Sequence, residues 1–170
     1  MKEDQSFSQD EVLSHIGVLL LNVQSFEWLL LQALKIVYAD EADLTAERLF
    51  ARDKRTLGVL IKDLSSKALI SEDVESLLQK VLEDRNLFAH NLRHQDWFDL
   101  STHEGRERAL DFLMPFTQNL NLAIHLFIAI HIKHGDQIGF DSPEVRQIKN
   151  DELWRVSDFY PHADKIHKKG

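Results

Sequence analysis

The chain has 170 residues, a formal net charge of −8 and no cysteine. The length suits one domain with its own hydrophobic core, and the lack of cysteine excludes disulfides, thiolate zinc sites and a cysteine nucleophile. The acidic balance argues against non-specific coating of nucleic acid, so an RNA or DNA ligand would need a local basic pocket.

Hydrophobic residues make up 44% of the chain and charged residues 28%, with only six glycines and three prolines. These values are typical of a compact, mostly helical protein rather than a disordered one. Met1 is followed by charged and polar residues at positions 2–5, so we expect no signal peptide. Together with the lack of cysteine, this predicts a cytoplasmic protein.

The first predicted helix runs from about Gln9 to Tyr38, after a flexible N-terminal segment of residues 1–8. Ser8 and Glu11 have the spacing of a capping box at its start. The apolar runs of this helix are interrupted by polar residues, which predicts a core helix rather than a membrane span. These interruptions are Asn22, Gln24, Glu27 and Gln32. Glu27 is either a polar group satisfied between helices or a member of a functional site.

A charged turn at residues 40–43 and a short helix at 46–51 are predicted next, before the most basic cluster of the chain. That cluster comprises Arg52, Lys54 and Arg55, with Asp53 between them. It is either a solvated loop or a contact for phosphate groups. A further helix is predicted from Leu57 to Lys67.

A helix predicted from Glu72 to about Leu92 carries the most informative stretch of the chain. Its apolar stripe follows helical spacing and comprises Val74, Leu78, Val81, Phe88 and Leu92. Arg85 lies on this stripe, where a charge is costly unless it meets a partner or a cleft. Asn86 and His90 lie beside it on the polar face, four residues apart and within reach of each other.

The helix predicted over residues 72–92 is called the motif helix below. Two aromatic residues, Trp97 and Phe98, follow it and are expected either to cover the core or, if exposed, to stack on a base. A second capping box, residues 101–104, predicts a long helix to about His134, kinked at Pro115. The apolar end of this helix is about eleven residues long and is too short to cross a bilayer. Residues 135–170 are predicted to form a C-terminal helix and a basic tail, which is either mobile or in contact with a second subunit.

These elements predict an all-α protein, a single-domain antiparallel bundle of four to six helices that spans residues 9–134. The sequence contains no Gly-rich phosphate loop and no Ser-His-Asp arrangement. The acidic residues around the motif lack the spacing of a metal loop, and His131 and His134 have no third ligand in register. We therefore expect no metal site.

The segment Arg85 to His90 has the form Arg-Asn-x-x-x-His. It resembles the signature of the HEPN superfamily (higher eukaryotes and prokaryotes nucleotide-binding domains). An acidic residue, Asp84, precedes the arginine, and the pair Phe88-Ala89 precedes the histidine, as in that family. The helix order is similar too, and the resemblance covers roughly residues 10–134. HEPN domains are all-helical bundles, and many are metal-independent endoribonucleases of toxin–antitoxin, abortive infection and CRISPR systems.

The resemblance implies an RNA-cleaving toxin or defence component that needs no metal or other cofactor and leaves 2′,3′-cyclic phosphate ends. His90 would move protons near neutral pH, and Arg85 would clamp the phosphate. Asn86 would orient either the imidazole or the phosphate. Substrate contacts are assigned to Arg93 and His94 after the motif and to the basic cluster Arg52, Lys54 and Arg55. A homodimer and an antitoxin protein are the expected protein partners.

The spacing of the motif raises a geometric problem. Positions 85 and 90 point about 140° apart on a straight α-helix, at about 100° per residue. Either the helix distorts or ends near His90, or motifs from two chains build one site, as HEPN dimers are understood to do. The apolar stripe of the motif helix or the apolar end of the helix 103–134 would then supply the seam of a two-fold dimer.

Two readings without catalysis stay open. In the first, Arg85 forms a buried ion pair with Glu27 or another core carboxylate, and His90 caps a helix C-terminus. In the second, the chain is a helical dimer that acts as a regulatory interaction module. Residues 57–70 resemble the mannitol operon repressor family, which implies protein–protein or regulatory work.

Overall fold

The fold is seen in a computed structural model that describes residues 7–37, 57–137, 139, 143–150, 158, 160–163 and 167–168. The helices in these ranges are α1 (Gln9–Val37), α2 (Leu57–Lys67), α3 (Glu72–Asn86), α4 (His103–Gln137), α5 (Pro143–Asn150) and α6 (Tyr160–Ala163). Two short strands, β1 (Ala68–Leu69) and β2 (His167–Lys168), pair antiparallel. The predicted all-α class is confirmed. The predicted short helix at 46–51 and the basic cluster Arg52, Lys54 and Arg55 lie outside the described residues.

The start of α1 is fixed by its own side chains. The Ser8 amide and hydroxyl both donate to Glu11 Oε2, at 2.7 and 2.8 Å, and the Glu11 amide donates to Ser8 Oγ at 3.2 Å. This reciprocal pattern satisfies donors that a helix start leaves unpaired. The predicted capping box and helix start are therefore confirmed.

The start of α4 differs from the prediction in its cap. The Gly105 amide donates to Thr102 Oγ1 at 3.0 Å, whereas Ser101 Oγ donates to Asp99 Oδ1 at 2.6 Å. The cap is therefore Thr102, one residue later than the predicted Ser101, because Ser101 is already held by Asp99. The helix continues through Pro115 to Gln137.

Helices α1 and α4 lie side by side and run parallel. Their contacts pair residues whose numbers rise together: Phe7 with Arg106, His15 with Thr117 and Leu29 with His131. In the opposite sense, Phe88 contacts Phe116 at 5.7 Å between ring centroids and Trp97 contacts Phe112 at 5.9 Å. The motif segment is therefore antiparallel to α4, and the bundle combines antiparallel and parallel neighbours instead of being antiparallel throughout.

The core is built from one side of each long helix. The apolar stripe predicted for the motif helix is buried throughout: Val74, Leu78, Val81, Phe88 and Leu92. The apolar end of α4 is mostly buried too, including Ala123, Ile124, Leu126, Phe127, Ala129 and Ile132. One or the other of these surfaces was expected to supply the seam for a second chain, and both are instead used inside this chain's own core. That correction follows from hydrophobic burial, which the single chain already satisfies.

The outer side of α1 is unusually apolar. Five large apolar side chains there are exposed: Leu13, Val18, Leu20, Leu21 and Trp28. We call this set the outer face of α1. By length and composition alone, the segments Gln9–Leu34 and His103–Gln137 would also be long enough to cross a membrane, a test that core helices of soluble proteins pass as well.

The described part of the C-terminal region returns to the bundle. Strand β2 pairs with β1 in the register Ala68 to Lys168 and Leu69 to His167, and Ala163 of α6 is buried. The basic tail thus contacts its own chain at this point.

Candidate functional site

The motif helix changes its geometry inside the motif. Regular α-helix ends at Asn86, residues Leu87–Asn91 form a π-helical turn, and Leu92–His94 form a 3₁₀ turn. A π turn bonds residues five apart and accommodates one extra residue within a helix. Phe88 stays in the core against Phe116, so the wider turn shifts the exposed polar residues and leaves the core residue in place. The expectation that the helix distorts near His90 is confirmed.

The π turn brings the two motif residues together within one chain. Arg85 Nη1 lies 3.2 Å from His90 Nε2 and 3.4 Å from Asn86 Oδ1. Because a guanidinium has donors and no acceptor, His90 Nε2 accepts this hydrogen bond, and the proton of the neutral ring is then on Nδ1. Asn86 and His90 are both exposed. A second chain is therefore not needed to bring Arg85 and His90 together.

The other side of Arg85 is held by Glu27 from α1. Arg85 Nε donates to Glu27 Oε1 at 3.0 Å, and Arg85 Nη2 lies 2.9 Å from the same oxygen. The Arg85 side chain is 21% exposed and that of Glu27 is 32% exposed. The predicted ion pair between these residues is confirmed, although it lies at the edge of the core and not within it.

The contacts of Arg85 leave a defined part of its fork for a ligand. A guanidinium has five N–H groups. Glu27 lies against the Nε and Nη2 edge of the guanidinium, and Nη1 faces both His90 and Asn86. The second Nη2 hydrogen takes part in none of these contacts. A phosphate that binds the end of the fork through two oxygens would use this hydrogen and would compete with His90 and Asn86 for Nη1.

The charges around the motif are uneven. Asp84, the residue before Arg85, is only 7% exposed and accepts a 2.8 Å hydrogen bond from Lys80, which neutralises it. Further toward the start of α3, an open depression of about 550 Å³ is lined by Glu72, Glu75, Ser76, Gln79, Lys80 and Glu83. Three carboxylates there repel phosphate, so a polyanion would approach from the His90 side.

The remaining predicted site residues lie in different places. Arg93 and His94 are exposed on the 3₁₀ turn that follows the π turn, whereas Arg52, Lys54 and Arg55 lie outside the described residues. Trp97 and Phe98 are partly buried and pack against the core, as the core-covering interpretation predicts. In the described ranges, no group of three or more His, Asp or Glu side chains is arranged to hold a metal ion.

Two histidines of α4 have shifted pKa values. Burial lowers the pKa of His125. Burial also lowers the pKa of His131, more than its hydrogen bond to the Leu29 carbonyl at 3.1 Å raises it. His131 thus ties α4 to α1 as a neutral ring. This supports the structural interpretation of His131.

The burial of Asp84 was missed from the sequence, and the π turn was expected only as a distortion of the helix near His90. The buried Asp84 had a usable signal, because Lys80 lies four residues before it, at ion-pair spacing. The π turn had no sequence signal beyond the spacing of Arg85 and His90, which is unfavourable on a regular helix.

Comparisons of the chain with protein-family models, curated proteins and solved structures return no match.

Proposed function

We propose that the chain is a metal-independent endoribonuclease of HEPN type, a toxin or defence component of the cytoplasm. The observation that carries this proposal is the 3.2 Å contact between Arg85 Nη1 and His90 Nε2 on an exposed π turn. A charged phosphate clamp and a proton acceptor lie next to each other and open to solvent. RNA cleavage by its own 2′-OH requires both groups.

The chemistry follows from the two side chains. The end of the Arg85 fork binds two non-bridging phosphate oxygens. Nη1 turns from His90 Nε2 to the bound phosphate, which frees the Nε2 lone pair. His90 Nε2 then takes the proton of the 2′-OH, whose oxygen forms a bond to phosphorus while the bond to the 5′-oxygen breaks. The 5′-oxygen leaves with a proton from the imidazolium or from water. The products carry a 2′,3′-cyclic phosphate and a 5′-OH, and the step uses no redox partner.

The test compares purified wild type with His90→Ala on an oligoribonucleotide, in the presence of EDTA. We expect His90→Ala to cleave at least about 100-fold more slowly, because general base catalysis contributes on the order of 10²–10⁴. His103→Ala is the matched control, since His103 is an exposed histidine at the start of α4. Equal rates for wild type and His90→Ala, or no cleavage by wild type, would overturn the proposal.

A second copy of the chain is proposed as a partner beside RNA, with an antitoxin protein as a further partner. The spacing of Arg85 and His90 no longer requires a dimer, because one chain brings the two side chains together. The support is now the outer face of α1, where Leu21 is 62% exposed and Trp28 is 59% exposed. Exposed apolar surface of this kind marks interaction sites. Trp28 follows Glu27 in the chain, so a copy bound there would lie beside the Arg85 site.

A second candidate function is a non-catalytic regulatory module. The same outer face of α1 favours it, and the Glu27–Arg85 ion pair would then serve only to join α1 to α3. The cleavage assay separates the two functions, since a regulatory module would cleave no RNA with either histidine or alanine at position 90.

A further inference from the structure

Glu27 is the residue of the site that comes from outside the motif. It lies 58 positions before Arg85 in the chain and reaches it from α1. One oxygen, Oε1, meets both the Nε and Nη2 hydrogens of Arg85. These two contacts hold the Nε and Nη2 edge of the guanidinium against Glu27, whereas a single contact would restrain only one of the two nitrogens.

The position of Glu27 is costly if its role is packing alone. It interrupts an apolar run between Phe26, which is buried, and Trp28. Half-exposed ion pairs contribute little to stability, and an apolar side chain would serve packing at least as well. The contacts of the carboxylate with Arg85 explain its presence better than packing does.

Resting on the proposed ribonuclease activity, we infer that Glu27 is a positioning residue for phosphate binding. It holds the Arg85 side chain by the Nε and Nη2 edge, so the end of the fork, Nη1 and the second Nη2 hydrogen, is directed away from Glu27 for the phosphate. It also keeps Nη1 beside His90, so the phosphate clamp and the proton acceptor keep a fixed separation. Glu27 touches neither substrate nor the reacting atoms in this scheme and acts through Arg85.

The first experiment measures kcat and KM for RNA cleavage by Glu27→Ala and Glu27→Gln. Glu27→Ala should lower kcat about 10- to 100-fold, approaching the loss of a transition-state donor, and should change KM less than about 3-fold, since misplacement weakens transition-state contacts most. Glu27→Gln keeps an oxygen that accepts from Arg85 and should recover much of kcat. Glu107→Ala is the control, because Glu107 is exposed on α4 and pairs with His103, away from Arg85.

The second experiment places Glu27→Ala in an Arg85→Ala background. A residue that acts only through Arg85 should cause no further loss of kcat there, within about 2-fold, whereas independent roles would multiply. A thermal unfolding curve for each variant shows that the comparison is made on folded protein.

The outcomes separate this inference from the proposed function. If wild type cleaves RNA, His90→Ala does not and Glu27→Ala cleaves like wild type, the positioning role is wrong and the ribonuclease stands. The positioning role is also wrong if Glu27→Ala lowers kcat equally with and without Arg85. If wild type cleaves no RNA, the ribonuclease is wrong and the positioning role falls with it.

Discussion

Arg85 combines a position on the core side of α3 with a charged side chain. Its aliphatic stem lies near the core stripe of α3, and its guanidinium bridges Glu27 of α1 and His90 of the π turn. Long basic side chains can bury their stems and keep the charged end near water. The conflict between charge and apolar position, visible in the sequence, is resolved in this way.

Arg85→Ala should destabilise the fold by about 1–2 kcal/mol, because Glu27 is left half-buried without its partner. His90→Ala should change stability by less than about 0.5 kcal/mol, as is usual for exposed positions. Urea unfolding followed by circular dichroism measures both. An Arg85→Ala protein as stable as wild type would show that the ion pair does not help to join α1 and α3.

The π turn is the element that builds the site. It widens the helix over residues 87–91 while Phe88 and Leu92 remain buried. Phe88 and Leu92 therefore keep their core contacts although the exposed side of the helix holds one extra residue. This element determines whether Arg85 and His90 meet.

Deleting Asn91, an exposed residue of the π turn that follows His90, should convert the turn into regular α-helix while Arg85 and His90 stay five residues apart, at about 140° on a regular helix. We expect the helical fold to persist, because the extra residue is what a π turn accommodates. RNA cleavage should fall as far as in His90→Ala, since the histidine no longer faces Arg85. Circular dichroism and the cleavage assay test this, and a deletion variant with wild-type activity would show that the π turn is unnecessary.

The contact between α1 and α4 should depend on pH through His131. Burial lowers the pKa of His131 below its ordinary value of 6.5, so the unfolded chain binds the proton more readily than the fold does. The stabilising contribution is complete above pH 6.5 and is lost as the pH falls below that value toward the lowered pKa. His125 has the same sign, and His134 adds repulsion to a charged His131.

The free energy of unfolding should therefore fall between pH 7.5 and 5. His131→Gln keeps a donor for the Leu29 carbonyl but does not titrate, so its curve should be flatter than that of wild type over this range. Urea titrations at several pH values make the comparison. Parallel curves for the two proteins would assign the pH dependence to other groups.

At the scale of the whole molecule, the outer face of α1 is the surface through which we propose that two copies associate. We expect wild type to form a dimer, and Leu21→Glu to be monomeric because a charge there opposes burial. Val59→Glu is the control, since Val59 is an exposed apolar residue of α2 outside that face. Light scattering after gel filtration measures the mass, and a monomeric wild type would show that no second copy covers this face.

Local sequence signals predicted the elements well. The start of α1 at Gln9 and of α3 at Glu72 agree with the structure, because caps and helical periodicity are local properties. The parallel arrangement of α1 and α4 was not predictable in the same way, since it depends on contacts between residues about 100 positions apart, such as His15 with Thr117. Glu27 was foreseen as one of several possible partners for Arg85, because both residues interrupt apolar stripes.

The most direct test of the ribonuclease proposal is cleavage of two matched oligonucleotides by wild type, one all-RNA and one with a single 2′-deoxy sugar at the cleaved position. We expect the all-RNA strand to be cut to a 2′,3′-cyclic phosphate end, the 2′-deoxy strand to stay intact there, and His90→Ala to cut neither. Cleavage of the 2′-deoxy strand at the same position, or of either strand by His90→Ala at the wild-type rate, would contradict it.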